Sequence, residues 1–302
     1  MEKIKRFLIT GATGFIGSYL RNKLMRDGHF VTVLTRSPER YQEEEAKNQK
    51  FISWDRDLVP VMESCDVVIN LAGESIFGKR WTDDVKERIY QSRIESTTQL
   101  SEAINRAEAP PELFISASAA GYYGGRGDDL LDETSEPGDD FLAKVCEDWE
   151  AAAMKVESPD VRILIPRIGI VLEEGGGMLK QMVLPFKLFA GGPVGHGEQY
   201  IPWIHMEDLC RGILFPVDNP DLEGAYNICS PNPVTMNEFA TVMGEMMRRP
   251  SFFRVPEFAL NLVLGEAAEP VMSSLRVKPA VLMKHGFKFR YTKIEEALAD
   301  IL

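Results

Sequence analysis

The sequence predicts an α/β fold built on a doubly wound parallel sheet, with a smaller C-terminal α/β domain. Three observations support this prediction. Short apolar runs alternate with longer segments of helical periodicity, as they do where helices join parallel strands. A glycine-rich turn follows the first apolar run. Polar residues follow several of the runs, and the carboxyl ends of parallel strands meet at one edge, where such sheets bind ligands.

The glycine-rich turn lies between an apolar run at residues 7–9 and a helical segment at residues 18–26, and its spacing is G-x-x-G-x-x-G. Gly11 lets the chain turn sharply off the strand, Gly14 lets a pyrophosphate approach the backbone, and Gly17 lets the helix pack closely. The helix N-terminus presents free N–H groups to phosphate. The turn therefore predicts a dinucleotide site. No Gly-Lys-Ser/Thr follows it, which disfavours an ATP-type phosphate loop.

The second strand, predicted at residues 30–34, ends where the choice between NAD and NADP is made. An NAD site places Asp or Glu there to bind the ribose 2′-hydroxyl. This chain has Arg36 instead. A guanidinium suits a 2′-phosphate, because it forms paired, charge-assisted hydrogen bonds. The alternative is a solvated surface arginine. We predict NADP(H) as the cofactor.

Further apolar runs predict the rest of the sheet. Strands are expected at residues 51–54, 65–71, 113–118, 162–165 and 224–230, and helices at residues 83–106 and 141–156. The polar residues 41–50 predict a loop or a frayed helix. After residue 168 the pattern changes. Helices are expected between two glycine clusters at 175–193, and at 238–248, 280–285 and 294–302, with a short strand at 287–289.

Composition excludes several classes of partner. The net charge of −12 argues against nucleic acid and against an anionic membrane surface. Four cysteines without a C-x-x-C pair suit a reducing cytoplasm, and four histidines without ligand spacing predict no metal site. No stretch is long and apolar enough to span a bilayer, and the first apolar run is too short for a signal peptide. We expect a cytoplasmic protein with a small-molecule substrate, either a monomer or a homodimer.

Several motifs occur together: T-G-A-T-G-F-I-G, N-L-A-G-E, S-A-S-A-A-G-Y-Y-G, W-E-A-A-A, P-W-I-H-M-E-D-L, and a C-terminal R-V-K-P followed by H-G-F-K-F-R-Y. The chain resembles the extended short-chain dehydrogenase/reductase superfamily, and most specifically its atypical branch, the YfcH-like NAD(P)-dependent sugar-nucleotide epimerases. The resemblance covers essentially the whole chain. It implies an NADP-binding Rossmann domain at residues 1–168, with a returning segment near 200–230. Residues 169–302 would be mostly a substrate-binding domain that ends in a small family-specific module.

The resemblance also implies where the cofactor would lie. The implied contacts are Gly11, Thr13, Gly14, Phe15, Ile16 and Gly17 at the pyrophosphate, Thr35 and Arg36 at the adenosine phosphate, Leu71, Ala72 and Gly73 along the cofactor, Glu74 and Arg93 near its nicotinamide half, and Arg167 in the pocket. For each exposed arginine the alternative is a surface ion pair, which contributes little free energy.

One departure from the superfamily concerns the catalytic dyad. Ordinary members use Tyr-x-x-x-Lys on the helix after the serine strand, and the lysine lowers the pKa of the tyrosine. The matching positions here hold Phe141 and Val145, neither of which can transfer a proton. Lys144 is one residue off and faces about 100° away around the helix. The usual dyad is therefore absent.

The remaining catalytic candidates are Ser118, Tyr122 and Tyr123, expected on the wall of a cleft between the sheet and the segment from residue 169 onward. A tyrosine needs a nearby positive charge to act as a base at neutral pH, which Arg93, Arg167 or an oxidised nicotinamide could supply. Two functions stay open. One is an NADP(H)-binding oxidoreductase or epimerase that acts on a small sugar-like substrate, nucleotide-linked or free. The other is a non-catalytic NADP(H)-binding sensor or regulatory protein.

Overall fold

A computed structural model describes residues 4–302. Its strands are β1 (Arg6–Thr10), β2 (Phe30–Thr35), β3 (Gln49–Ser53), β4 (Val67–Asn70), β5 (Leu113–Ser116), β6 (Ser118–Ala119), β7 (Leu130–Leu131), β8 (Arg162–Ile168), β9 (Ile170–Leu172), β10 (Tyr200–Ile201), β11 (Trp203–His205), β12 (Gly224–Ile228), β13 (Val234–Thr235) and β14 (Arg276–Val277). Its helices are α1 (Phe15–Arg26), α2 (Val59–Met62), α3 (Asp83–Arg106), α4 (Phe141–Ala153), α5 (Gly177–Lys187), α6 (Met206–Asp218), α7 (Met236–Met247), α8 (Glu257–Leu264), α9 (Glu269–Met272), α10 (Ala280–Lys284) and α11 (Ile294–Ile301). Three short 3₁₀ segments lie at Pro38–Glu44, Ala120–Tyr123 and Gly265–Ala268.

The main sheet has eight strands in the order β12-β8-β5-β4-β1-β2-β3, with β6 alongside β8. Each strand pairs in parallel with its neighbours. The chain runs outward from β1 in one direction through β2 and β3, and in the other through β4, β5 and β8. The strand order therefore reverses between β1 and β4, which is where doubly wound sheets bind their ligands. The predicted fold class is confirmed.

Helices cover both faces of this sheet, because successive residues of a strand point to opposite sides. Ile9 packs on one face, in a hydrophobic cluster with Leu20 of α1 and Ile213 of α6. Leu8 packs on the other face, with Leu100 of α3. Strands β4 and β5 are fully buried. Their unbroken apolar runs are typical of central strands in a covered parallel sheet.

The C-terminal part contains a hydrophobic cluster of its own, which includes Leu179 of α5, Phe239 of α7 and Leu298 of α11. Strand β12 returns to the main sheet beside β8, with Gly224 opposite Leu164. The domain division near residue 168 stays a prediction. No helix of residues 4–302 is long and apolar enough to cross a membrane.

Two predicted strands differ from the structure. The run at 113–118 is divided into β5 and β6 at Ala117. The predicted strand at 287–289 is wrong, since these residues form no strand. Phe287 instead packs edge-on against Phe215 of α6. The next N–H groups, of Arg290 and Tyr291, donate to the buried carboxylate of Asp208. Aromatic packing and a side-chain acceptor thus replace strand pairing there.

Candidate functional site

The turn between β1 and α1 requires glycine at two positions. Gly11 has a φ of +67°, and a Cβ there would lie 2.4 Å from the carbonyl oxygen of Leu71. A Cβ on Gly17 would lie 2.2 Å from the carbonyl oxygen of Gly11. At Gly14 the nearest atom would be 3.2 Å away. Gly11 is therefore required where the turn meets the end of β4, and Gly17 where α1 packs on the turn. The contact at Gly14, with the carbonyl oxygen of Gly11, is tight but less severe.

The start of α1 is open to a ligand. Gly14 is the N-cap residue, so no side chain caps the first turn of the helix. Thr13, Gly14 and Phe15 are exposed, and Ile16 is partly buried. Free N–H groups and the positive end of the helix dipole make such a terminus suitable for phosphate. The ring of Phe15 lies against Gly176, just before α5, where a Cβ would be 2.1 Å from the ring.

A buried polar network holds the end of β4 beside this turn. The hydroxyl of Thr10 donates to Asn70 at 2.6 Å and accepts the N–H groups of Leu71 and Ala72, each at 3.1 Å. The amide of Asn70 donates in turn to the hydroxyls of Thr97 and Ser116. Leu71, Ala72 and the adjoining Gly73 are thereby fixed at the edge where the cofactor would pass.

Arg36 lies just beyond the end of β2 and is exposed. It makes no ion pair with any residue that the structure describes. The preceding Thr35 is partly buried, and its hydroxyl faces the N–H group of Ser37 at 3.5 Å. The guanidinium of Arg36 is thus available at the strand end where an NADP site needs a cation.

Arg93 and Glu74, predicted near the nicotinamide half, are engaged within the protein. The guanidinium of Arg93 donates to the carbonyl oxygen of Glu74 at 3.1 Å and lies over the ring of Trp149. Burial lowers its pKa. The carboxylate of Glu74 pairs with Lys79 at 2.9 Å. Arg93 therefore holds the loop after β4, and its contact with a cofactor stays a prediction.

These features fit a dinucleotide, because they combine an uncapped helix start, a glycine-lined approach and a free cation after β2. The residues that would hold NADP(H) are those of the turn, the end of β4 and Arg36.

Arg167 is not an open pocket residue but the centre of a buried cluster. Its guanidinium forms two hydrogen bonds with the carboxylate of Glu150, both at 2.9 Å. The hydroxyl of Ser118 donates to the same carboxylate at 2.6 Å. Arg167 also donates to the hydroxyl of Tyr123 at 3.1 Å. The ion pair and its hydrogen bonds raise the pKa of Arg167 despite its burial.

Glu150 was not identified as a site residue in the sequence. It lies in the alanine-rich motif W-E-A-A-A on α4. Its side chain is only 12% exposed. A buried carboxylate needs a partner. A glutamate among alanines on the helix predicted at residues 141–156 was the available signal.

The two tyrosines have different environments. Tyr123 is fully buried, and its hydroxyl donates to the side chain of Asn227 at 2.7 Å. Tyr122 is partly buried, and the guanidinium of Arg167 lies 3.4 Å from the centre of its ring. Burial raises the pKa of Tyr122, and the charge of Arg167 partly offsets this shift. Ser118 is buried as well. Tyr122 is thus the most accessible of the three catalytic candidates.

The positions of the missing dyad fall at the start of α4. Phe141 is the first residue of the helix, which is capped by Asp140, and its ring packs edge-on against Trp81. Val145 is buried, and Lys144 is exposed and paired with Glu147 and Asp148.

A groove runs between this part of the main domain and the C-terminal segment. Gly121 and Gly124, which flank the two tyrosines, lie on one side with Phe141, and Glu269 and Ser273 lie on the other. None of the catalytic candidates Ser118, Tyr122 and Tyr123 lines this groove: Ser118 and Tyr123 are buried, and Tyr122 is partly buried.

Comparisons with known proteins agree with this architecture. Residues 7–229 match the model of the NAD dependent epimerase/dehydratase family, and residues 255–301 match a domain of unknown function (DUF1731). The chain is 40% identical, over 97% of its length and 86% of the relative's, to "Epimerase family protein SDR39U1 homolog, chloroplastic" of Arabidopsis thaliana.

Two solved structures are also similar. One is the crystal structure of human epimerase family protein SDR39U1 (isoform 2) with NADPH, at 33% identity and a TM-score of 0.89, covering 98% of both chains. The other is a nucleoside-diphosphate sugar epimerase from Corynebacterium glutamicum, at 33% identity and a TM-score of 0.76, covering 98% of this chain and 58% of that one. The resemblance drawn from the motifs is confirmed. The chain therefore belongs to the NAD-dependent epimerase/dehydratase family.

Proposed function

We propose that the protein is an NADP(H)-dependent oxidoreductase or epimerase that acts on a small molecule. The observation that carries this proposal is the uncapped, glycine-lined start of α1 together with the exposed Arg36 after β2. The human relative was crystallised with NADPH, which supports the choice of cofactor. NADP(H), when bound, supplies hydride transfer to or from a carbon of the substrate.

The residues of this chain would bind and orient the reactants. The backbone of the turn at Gly11 to Gly17 would hold the pyrophosphate, and Arg36 the 2′-phosphate. The end of β4, from Leu71 to Gly73, would support the middle of the cofactor. The network around Thr10 keeps this edge rigid, since each of its buried polar groups has a partner.

The proton would come from Tyr122. Its phenol is protonated at neutral pH, as a proton donor must be. Burial raises its pKa, and the charge of Arg167 partly offsets this rise and so favours transfer of the proton to a substrate oxygen. Arg167, stacked on its ring, would stabilise the negative charge that develops when the proton leaves. Tyr123 is better suited to a structural part, because its hydroxyl is held by Asn227 and Arg167.

Replacing Arg36 with alanine should remove the preference for NADPH over NADH. A hydrogen bond to a charged group contributes about 1.5–3 kcal/mol, so we expect NADPH affinity to fall at least about tenfold while NADH affinity stays within about twofold. Fluorescence titration of both cofactors would measure this. Arg40→Ala, a nearby exposed arginine, is the control. Equal affinities of the wild-type protein for both cofactors would refute the assignment of Arg36.

The variant Tyr122→Phe should lose catalysis while retaining the cofactor. General acid catalysis contributes about 10²–10⁴-fold, and we expect a loss of turnover in this range. The assay is a panel of small carbonyl compounds and sugars with NADP(H), and Tyr41→Phe is the control. Unchanged turnover in Tyr122→Phe would remove Tyr122 from the mechanism. Tight NADPH binding without turnover of any compound by the wild-type protein would favour the sensor function.

The compartment and the oligomeric state stay predictions. Cys65, Cys146, Cys210 and Cys229 are buried and unpaired, which is compatible with the predicted cytoplasmic location. Burial raises the pKa of Cys146 to about 11, so its thiol is unreactive at neutral pH.

A further inference from the structure

We propose that an exposed apolar surface on the C-terminal part binds a second copy of this chain in a two-fold symmetric dimer. The surface is formed by the end of α5 and by residues 252–263, which include most of α8. Its side chains, called the apolar surface below, are Leu184, Leu188, Phe189, Phe252, Phe253, Phe258, Leu262 and Val263. Self-association through this surface requires neither the cofactor nor the proposed activity.

The two segments of the apolar surface lie side by side. The N–H group of Phe253 donates to the carbonyl oxygen of Gly191, just after the end of α5, at 3.2 Å. The guanidinium of Arg249 lies 4.4 Å from the centre of the ring of Phe189. Helix α8 begins at Glu257, shortly after Phe253, so its exposed side chains extend the same surface.

The apolar surface is large for a monomer. Each of its eight residues exposes between 49% and 74% of its area, and α8 has no buried residue. Since a fully exposed aromatic residue presents about 150–250 Å², the eight together expose on the order of 900 Å². The largest apolar patch on a typical monomer is about 300–600 Å², whereas a standard interface buries about 800 Å² on each partner. The apolar surface therefore has the size of a protein–protein interface.

Phe189 is held at this surface in a strained conformation. Its φ is +61°, in the left-handed region that residues with bulky side chains rarely adopt. The ring is exposed, so burial within the same molecule does not offset the strain. Strained residues of this kind cluster at functional sites. Burial of the ring against a partner would supply the compensating free energy.

The charges around the apolar surface are segregated. Residues 175–197 and 246–254 contain no Asp or Glu, and their cations are Lys180, Lys187, Arg248, Arg249 and Arg254. Residues 255–275 contain no Lys or Arg, and their anions are Glu257, Glu266 and Glu269. The end of the surface at α5 is therefore positive, and the end at α8 is negative.

This segregation fits a second copy of the chain. In a two-fold dimer the same surface faces itself in the reverse direction, so the positive end of one copy meets the negative end of the other. Lys187 and Glu257 are exposed, and neither forms an ion pair with any residue from 4 to 302. An anionic membrane would attract the positive end but repel the negative one. The net charge of −12 also argues against a membrane.

Sedimentation velocity of the full chain tests this inference. We expect a dimer, and concentrations of about 0.1–100 µM would be sampled, because interfaces of this size have Kd values from µM to pM. Phe258→Ser combined with Leu262→Ser should weaken the dimer at least about a hundredfold, since both substitutions occur on each side of the interface. Met154→Ser, at an exposed apolar residue that ends α4, should leave the Kd unchanged. A wild-type protein that stays monomeric, or a double variant that dimerises normally, would overturn the inference.

Reversing the charges distinguishes a second copy from other partners. Lys187→Glu and Glu257→Lys should each weaken the dimer about tenfold, because each reversal replaces attraction by repulsion twice in a two-fold dimer. Both reversals in one chain should restore the wild-type Kd to within about threefold. Circular dichroism would verify that each variant is folded.

Two further outcomes would contradict a two-fold dimer at this surface. One is a combined charge-reversal variant that dimerises no better than the single variants. The other is flotation of the wild-type protein with vesicles of phosphatidylcholine and phosphatidylserine that is lost on replacing Phe258 and Leu262 with serine. That result would assign the apolar surface to a membrane.

Discussion

The variant Glu150→Ala is expected to lose about 3–5 kcal/mol of unfolding free energy, because it leaves the charge of Arg167 buried without its partner. The side chains of Arg167 and Glu150 are 6% and 12% exposed, and two hydrogen bonds join them. Ser118 would lose its acceptor as well. Urea denaturation followed by circular dichroism would measure the loss.

A double variant distinguishes an unpaired charge from lost packing. Glu150→Leu combined with Arg167→Met removes both charges, so it should be more stable than either single variant. Glu147→Ala, on the same helix, removes an exposed partner of Lys144 and should cost less than about 1 kcal/mol. If Glu150→Ala were as stable as Glu147→Ala, the buried pair of Glu150 and Arg167 would not stabilise the fold as we expect.

The variant Gly17→Ala should destabilise the protein by about 3 kcal/mol or more and abolish NADPH binding. A Cβ at this position meets the backbone of Gly11 at 2.2 Å, and backbone cannot move aside as a flexible side chain can. Since α1 must shift, its N-terminus would no longer face the edge of the sheet. Denaturation and NADPH fluorescence measure the two effects.

Gly28→Ala is the matched control. Gly28 ends the same helix with a φ of +84°, and nothing lies within 4 Å of its Cβ position. This variant should cost about 1–2 kcal/mol through backbone strain and leave NADPH affinity unchanged. A Gly17→Ala variant that binds NADPH normally would contradict the close packing of α1 on the turn.

The glycine-rich turn between β1 and α1 could be predicted because its signal is local. Gly11, Gly14 and Gly17 stand between a strand and a helix in a few residues, and Arg36 follows the next strand. Each of these residues could be assigned a role from its neighbours in the sequence, without knowledge of its contacts in the folded protein. The central strands were predictable for the same reason, since a buried parallel strand is a short unbroken apolar run.

The buried cluster could not be predicted, because its members come together only in three dimensions. Glu150 and Arg167 lie 17 residues apart, and Tyr123 meets Asn227 across 104 residues. The family resemblance implies that Arg93 lies near the nicotinamide half of the cofactor and that Arg167 lies in the pocket. In the structure both side chains bond to groups within the protein: Arg93 donates to the carbonyl oxygen of Glu74, and Arg167 donates to the carboxylate of Glu150. The sequence alone does not show that they are buried. The helices α8 and α9 also lacked a clear amphipathic pattern, and α8 has no buried residue.

The return of β12 to the sheet has a consequence for synthesis on the ribosome. Strand β8 ends at Ile168, and its outer neighbour begins at Gly224. Roughly 60 residues must therefore be added before that edge is paired, which takes about 3–12 s at usual elongation rates. During this interval the nascent chain exposes a strand edge that can pair with other chains. The turn at Gly11 and its partner Leu71 are made much earlier. The growing chain can thus complete the turn between β1 and α1 and the end of β4 well before Glu269 and Ser273 add the second wall of the groove.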